Sequence, residues 1–424
     1  MRLGNRILSL AMGLSIIFQA SLSFASFEDE LQTQIFKYAA DNSPVFYLSN
    51  QTYFTTGNFL TRIDAYFESS AKGAWSLDPD PARFDFKLNE KGNSFVWLGR
   101  EQPLNLVRGQ PVEFTSALGS VWVQNQIDAL NPHVSGWVGA GLVESLDSKS
   151  SWKLVLAYSP LFLPTFGPSL GFSDRGDLNP SRFARLPPAQ VITGGVTVPI
   201  RYRLRLDQLS DLVLQHQAFV GMSHDDSHVN LDVYAYTAPK PDPVPLTDAR
   251  LGVGGNSVNA NVDVDPQFPR EYWGGFRVQN KDLVFQPALE YVQKLNQLAV
   301  HVVSLTGYFD SPQLNPFALK RNTRASFGIV THFEQMFDAP TQSDGMLFVK
   351  LPFDLSNELV WRTMLQATLL NARQSFYWLN ELEYTVRQGF SLVGAIRILS
   401  GDDNSYFGDW RNQDSYSAGV KWIW

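Results

Sequence analysis

The feature that most constrains the fold is an alternation of apolar and polar residues with a period of two, which continues from about residue 45 to the end of the chain. In residues 83–89, Phe84, Phe86 and Leu88 share one face, and polar or charged residues occupy the other. Successive side chains of a β-strand point to opposite faces, so this period predicts strands. Residues 59–67, 151–158, 359–367 and 392–398 repeat the pattern. The chain is therefore expected to be all-β.

The apolar faces carry Phe, Trp, Leu and Ile in strand after strand, which a water-soluble β-sandwich or propeller would not explain. Charged residues make up 18% of the chain, below the roughly 25% of soluble domains. After the N-terminal region, no segment approaches the roughly 20 apolar residues of a membrane-spanning helix. The pattern predicts a transmembrane antiparallel β-barrel over residues 45–424 with about 16 strands, in a range of roughly 14 to 18.

The connections between the expected strands fall into two length classes. Tight turns are expected at residues 90–92, 147–149, 207–210, 281–282, 354–357 and 387–389, and long loops at 101–133, 159–197, 237–271 and 401–414. Short periplasmic turns and long outer loops are typical of barrels in outer membranes. The second loop carries Arg182 and Arg185, and two placements are open for it: folded into the lumen as a constriction, or packed outside.

The N-terminus has the pattern of a secretory signal peptide over residues 1–25. Arg2 and Arg6 supply the positive charge, residues 7–20 form the apolar region, and Ser23 and Ala25 flank a small-x-small cleavage site. The mature chain would begin near Ser26, with residues 26–44 as a helical or irregular periplasmic segment. An uncleaved membrane anchor is the alternative interpretation.

The C-terminal residues alternate again and end in an aromatic residue. Gly419 begins the run, and Val420, Trp422 and Trp424 share one face. This run resembles the closing strand of Gram-negative outer-membrane β-barrel proteins, loosely those of porins. The resemblance implies an outer-membrane location, recognition of this strand by the barrel-assembly machinery, and contact with membrane lipid and lipopolysaccharide. It also allows for a homotrimer or for partner proteins of the cell envelope.

The segment 200–206 places Arg201, Arg203 and Arg205 on one face of an expected strand. A lipid-facing arginine near the bilayer midplane costs about 2–4 kcal/mol, so a barrel strand would turn these arginines into the lumen. Two interpretations are open. The arginines form a ladder that attracts anions, or they pair with lumen carboxylates and brace the wall. The carboxylates considered are Glu381, Glu383, Asp64 and Asp85.

Three functions are compatible with these patterns. The first is a non-enzymatic, porin-like channel for small solutes, and the second is a plugged barrel that anchors an envelope complex. The third is an outer-membrane hydrolase using His224 or His228, although a polar hairpin tip is the preferred interpretation of residues 223–228. No catalytic residue, metal site or cofactor is expected. The net charge of −7 and the absence of cysteine argue against a nucleic-acid surface and a disulfide framework.

Overall fold

A computed structural model gives the fold of the chain. It describes residues 26–38, 44–56, 58–68, 74–108, 136–147, 151–162, 190–193, 195–205, 213–240, 244–254, 257–283, 285–296, 300–309, 325–334, 342–368, 374–402, 405, 407 and 414–423. Within these ranges no helix is long and apolar enough to cross a membrane.

The described residues up to 267 form thirteen strands and a short helix. They are β1 (Ser26–Tyr38), β2 (Val45–Thr56), β3 (Phe59–Glu68), β4 (Ala74–Lys87), β5 (Phe95–Glu101), α1 (Pro103–Arg108), β6 (Trp137–Ser145), β7 (Trp152–Ser159), β8 (Gln190–Thr193), β9 (Val196–Leu204), β10 (Gln217–Asp225), β11 (Val229–Pro239), β12 (Val244–Gly254) and β13 (Ser257–Gln267). Nine strands follow: β14 (Arg270–Asn280), β15 (Phe285–Lys294), β16 (Val300–Phe309), β17 (Ala325–Glu334), β18 (Gln342–Asp354), β19 (Leu359–Thr368), β20 (Ser375–Arg387), β21 (Phe390–Gly401) and β22 (Ser415–Ile423).

Eighteen of these strands form one antiparallel sheet that closes into a barrel. Each of them pairs with the next, and β1 pairs with β22 to complete the circle. The members are β1–β7, β10, β11 and β14–β22. The expected all-β barrel is therefore confirmed. Its strand number is the upper end of the predicted range rather than 16.

The predicted boundary at residue 45 is wrong, because residues 26–38 form β1 instead of a helical or irregular segment. This strand pairs with β2 on one side and with β22 on the other. Gln34 and Phe36 face the lumen, whereas Ile35 faces outward. Thr33 and Lys37 share the outward face with Ile35, so this face is not continuously apolar and the strand escaped a search for apolar alternation.

The outward face of the barrel is an apolar band with aromatic residues towards both ends. Exposed Leu, Val and Ile side chains occupy the middle of the strands, at Leu98, Leu156, Val220, Val233, Leu289, Leu305 and Ile396. Exposed aromatic residues lie nearer one end at Tyr158, Tyr272, Phe376, Trp378 and Tyr416, and nearer the other at Phe86, Phe327, Tyr384 and Trp422. On β4, β7, β21 and β22, for which the alternation was predicted, the apolar faces point outward as expected.

The two ends of the barrel differ in the length of their connections. The end that carries Ser26 and Ile423 has mostly short turns, such as those between β2 and β3 and between β20 and β21. The other end carries all four predicted long loops. The tight turn predicted at residues 207–210 is not a barrel turn. Because β7 pairs directly with β10, this segment belongs to the single connection between them.

A second, four-stranded sheet is formed by connections at the long-loop end of the barrel. It is ordered β12-β13-β9-β8, and β9 pairs with β13 in parallel. The hairpin β12–β13 connects β11 to β14, and β8 and β9 belong to the connection between β7 and β10. One face is apolar and buried, with Val198, Val262 and Val264 on it. The sheet is thus built from two long insertions of the barrel, those between β7 and β10 and between β11 and β14.

Candidate functional site

Helix α1 lies inside the barrel, at the start of the connection between β5 and β6. Leu104 and Val107, three residues apart, are buried against β7 and β10. They belong to the same apolar cluster as the lumen-facing Val155 and Phe219. A Cβ atom on Gly221 would lie 2.6 Å from Cγ2 of Val107, so the absence of a side chain at 221 lets the helix approach the wall.

The last residue of α1, Arg108, reaches a row of charged side chains on the inner wall. Asp232 on β11, Arg277 on β14 and Glu290 on β15 are direct neighbours across the sheet. Arg108 Nη2 donates to Glu290 Oε1 at 2.5 Å, and the hydroxyl of Tyr234 donates to the same oxygen at 2.6 Å. The guanidinium groups of Arg108 and Arg277 approach Asp232 Oδ2 at 3.8 and 3.7 Å.

The side chains of this network are buried, and their charges are balanced. The side chains of Arg108, Asp232, Arg277 and Glu290 are 4%, 0%, 4% and 2% exposed. Two arginines and two carboxylates offset each other, which burial at this depth requires because unpaired buried charges are very costly. Lys153 adds a further contact to the helix, since its ammonium donates to the carbonyl of Leu106 at 3.2 Å. The network fixes α1 against β11, β14 and β15.

The lumen beside α1 is filled by apolar side chains. The buried cluster runs over the inner faces of β5–β7, β10, β11 and β14–β18. It includes Trp97, Leu104, Val107, Trp137, Val143, Val155, Ala157, Phe219, Tyr234, Tyr236, Ala238, Trp273, Val292, Val302, Val330 and Phe348. This side of the barrel is packed like a protein core rather than hydrated.

The opposite side of the lumen carries charged side chains that solvent reaches. Arg362 on β19 donates to Glu381 at 2.7 Å and to Glu383 at 2.8 Å on β20. The side chain of Arg362 is 40% exposed and that of Glu381 is 25% exposed. Lys421 on β22 pairs with Glu30 on β1 at 3.0 Å, and both are partly exposed. The lumen is thus packed beside α1, and on the opposite side it has solvent-accessible charged residues on β19, β20, β22 and β1 towards the short-turn end. Towards the long-loop end of this opposite side, Tyr377, Leu399 and Phe407 form a second buried cluster.

The predicted arginine ladder lies elsewhere, so its placement on the barrel wall is wrong. Arg201 and Arg203 are on β9 of the four-stranded sheet, Arg205 directly follows this strand, and all three are exposed. Arg205 pairs with Asp263 on β13. The alternation was read correctly, but β9 needs no lipid-facing side, so the lipid cost does not turn its arginines into the lumen.

The carboxylates suggested as partners of this ladder are engaged by other residues. Arg362 binds Glu381 and Glu383, and Arg83 binds Asp85 at 2.9 Å. The side chain of Asp64 is not among the described ones, and Arg182 and Arg185 lie outside the described residues. The signal peptide over residues 1–25 also lies outside them and stays a prediction.

Residues 223–228 form the end of β10 and a polar turn at the short-turn end of the barrel. Ser223 is buried in the wall, whereas the next residue, His224, stacks on Trp152 with ring centroids 4.5 Å apart. His228 Nδ1 lies 2.6 Å from Asp282 Oδ1, and this hydrogen bond raises the pKa of His228. Two backbone amides bind Asp226, those of Val229 and His228, and lower its pKa to about 2. Ser223 and His224 thus point to opposite faces of β10.

The closing strand β22 has the orientation expected from the alternation. Tyr416, Val420 and Trp422 are exposed on the outside, and Ser415 and Ser417 are buried towards the lumen. Trp424 lies outside the described residues. Recognition of Gly419, Val420, Trp422 and Trp424 by an assembly machinery stays a prediction.

Sequence reasoning missed the network around Arg108. A signal was present in β11, where Asp232 interrupts a run of apolar and aromatic residues, and in β15, where Glu290 does the same. A lone carboxylate in an apolar strand predicts a buried partner. The partner itself, Arg108, is 124 residues before Asp232 in a loop without a clear pattern, and only the fold brings them together.

Comparison with known proteins gives only distant structural likenesses. No protein-family model and no curated protein matches the chain. It is similar to the outer membrane protein OmpT of Vibrio cholerae, folded in vitro, at 9% identity and a TM-score of 0.40, covering 94% of this chain and 97% of that one. It is similar to Salmonella typhi OmpF in complex with daunomycin at 8% identity and a TM-score of 0.39, covering 94% and 97%.

A variant of the Rh. blastica porin is similar at 9% identity and a TM-score of 0.37, covering 95% of this chain and 100% of that one. Likenesses at this level carry no argument about function. The fold assignment stands on the strand pairing of the chain itself.

Proposed function

We propose that the protein is a passive channel for small hydrophilic solutes in the outer membrane of a Gram-negative bacterium. The observation that carries the proposal is the divided lumen. Charged side chains on β19, β20, β22 and β1 are accessible to solvent towards the short-turn end, while α1 and an apolar cluster fill the other half. A barrel of eighteen strands is wide enough for an aqueous path, and a helix fixed to one wall narrows this path without closing it.

The outer surface supports the membrane location. Phe376 and Tyr384 are eight residues apart on β20, which corresponds to roughly 20 Å across a membrane at the usual strand tilt. Aromatic residues at both edges of an apolar band are typical of barrels that span an outer membrane. The signal-peptide pattern of residues 1–25 and the alternation in β22 are consistent with export and assembly there.

The test is the conductance of the purified full-length protein in a planar lipid bilayer. We expect stepwise conductance, and Glu381→Lys is expected to shift the reversal potential in a salt gradient towards anions, because position 381 lies on the solvent-accessible side of the lumen. Asp248→Lys is the matched control. It makes a similar charge reversal on β12, outside the barrel, and should leave the reversal potential unchanged.

A folded barrel without any conductance would contradict the channel and favour a plugged barrel that anchors an envelope complex. The filled half of the lumen is the observation behind this second candidate. An unchanged reversal potential in a conducting Glu381→Lys variant would show that the path does not follow β19–β22.

A further inference from the structure

A patch of buried polar side chains lies on the inner wall where the barrel closes. It consists of Arg397 on β21, Ser415 and Ser417 on β22, and Gln34 on β1. Arg397 is the direct neighbour of Ser415 across the sheet, and Ser417 is the neighbour of Phe36 on β1. Their exposures are 8% for Arg397, 5% for Ser415, 7% for Ser417 and 5% for Gln34. The patch thus bridges the three strands of the seam.

Five polar atoms of this patch have no hydrogen-bond partner in the part of the chain that the structure describes. They are Nε and Nη1 of Arg397, the hydroxyls of Ser415 and Ser417, and the amide oxygen of Gln34. Arg397 lies over the ring of Phe36, 4.9 Å from its centroid. A ring orients a guanidinium but does not accept its in-plane N–H groups.

Two carboxylates on positions close to the patch are engaged elsewhere. Glu381 binds Arg362 at 2.7 Å, and Asp414 accepts a hydrogen bond from the backbone amide of Leu399 at 2.6 Å. An arginine does not lose its charge inside a protein. A buried guanidinium without a counter-charge is costly, as is each buried hydroxyl without a partner. Among the described residues, the patch therefore offers one positive charge and two hydroxyl donors that have no hydrogen-bond partner.

We propose that this patch binds a small oxyanion with carboxylate or phosphate chemistry. Arg397 would supply the charge and charge-assisted hydrogen bonds, which are stronger than neutral ones. Ser415 and Ser417 would donate their hydroxyl hydrogens, and the amide of Gln34 can turn its NH₂ group to the ion. The bound ion would tie β21, β22 and β1 together across the closing seam. The proposal does not require that the lumen conducts.

The experiment measures anion binding to the full-length barrel in detergent. Inorganic phosphate and acetate are titrated separately by calorimetry and by the midpoint of thermal unfolding, against sodium chloride at matched ionic strength. We expect saturable binding and a raised midpoint with at least one of the two anions. Arg397→Gln should weaken the binding about tenfold or more, the loss expected for charge-assisted hydrogen bonds.

Arg83→Gln is the matched control, since it removes an arginine of β4, away from the seam, that already has two carboxylate partners, Asp85 and Glu101. It should keep the binding. If Arg397→Gln does not fold, the double variant Ser415→Ala/Ser417→Ala decides, because it removes two donors and leaves the charge in place; it should bind more weakly.

Binding of phosphate alone assigns the site to phosphate groups, and binding of acetate alone assigns it to carboxylates. The proposal is overturned if neither anion binds more strongly than chloride. It is also overturned if the variants at 397 or at 415 and 417 bind like the unmodified protein.

Discussion

Arg108 is the residue through which α1 is attached to the barrel wall. Its substitution by Met would remove the ion pair with buried Glu290 and leave the hydrogen bond from the hydroxyl of Tyr234 in place. Breaking one partner of a buried ion pair typically costs about 3–5 kcal/mol. We expect Arg108→Met to lower the stability of the folded barrel by this order, as measured by equilibrium unfolding in detergent.

Two further variants separate the charge from the neutral hydrogen bond. Tyr234→Phe removes only the hydroxyl and should cost about 1–3 kcal/mol. The double variant Arg108→Met/Glu290→Met removes both charges and should be more stable than Arg108→Met alone. If Arg108→Met and Tyr234→Phe were equally stable, the ion pair between Arg108 and Glu290 would not be what holds the helix.

His228 and Asp226 give the turn between β10 and β11 a defined pH dependence. The hydrogen bond to Asp282 raises the pKa of His228 above its ordinary value of 6.5. Its contribution to stability is therefore complete below pH 6.5 and is lost as the pH rises through the raised pKa. Asp226 behaves in the opposite way: its contribution is present above pH 3.8 and is lost as the pH falls towards 2.

We therefore expect Asp282→Asn to lower the pKa of His228 towards 6.5, as measured by NMR titration of the imidazole signals. A His228 titration that is identical in both proteins would contradict the pairing with Asp282.

At the scale of the strand, the same substitution should have different effects on the two sheets. Leu305 is exposed in the middle of β16 on the barrel, and Leu251 is exposed on β12 of the four-stranded sheet. Leu305→Arg places a charge in the lipid and should cost about 2–4 kcal/mol near the midplane. Leu251→Arg should cost almost nothing. Equal effects in unfolding from lipid vesicles would contradict the assignment of one sheet to the membrane.

The strand period could be predicted from sequence, but not the sheet to which a strand belongs. In β4, Phe84 and Phe86 were assigned to the outside, and they are exposed there. In β9 the same period was found, yet Arg201 and Arg203 are in a sheet outside the barrel. Period two reports only that successive side chains alternate. Which medium each face meets depends on pairing partners distant in sequence, here β13.

At the scale of the molecule, the length classes of the connections predicted the two ends of the barrel correctly. The candidate site was not predicted, because it depends on the contacts of Arg108 with Asp232 and Glu290, which are distant in sequence, rather than on a pattern along a strand. Arg108 meets Glu290 across 182 residues of sequence. A hydrogen bond between residues so far apart in sequence does not appear in the local periodicity. Only the two isolated carboxylates, Asp232 and Glu290, indicated a nearby charged partner.

Closure of the barrel between its first and last strands is a testable property of the whole molecule. Thr33 on β1 and Val420 on β22 are direct neighbours in the antiparallel register. Cα atoms of such neighbours are about 4.5–5.5 Å apart, within the range of a disulfide. The chain contains no cysteine, so a pair of introduced cysteines reports on this contact alone.

We expect Thr33→Cys/Val420→Cys to form an intramolecular disulfide in the folded protein under mild oxidation. The product would join residues near the two ends of the mature chain, and its altered migration on a non-reducing denaturing gel would reveal it. Thr33→Cys/Tyr416→Cys is the control, since its positions are displaced by four residues along β22 and lie too far apart to bridge. The closed register would be contradicted if the control formed the disulfide to the same extent, or if neither pair formed one. The pairing of β1 with β22, which closes the eighteen-stranded barrel, would then be absent.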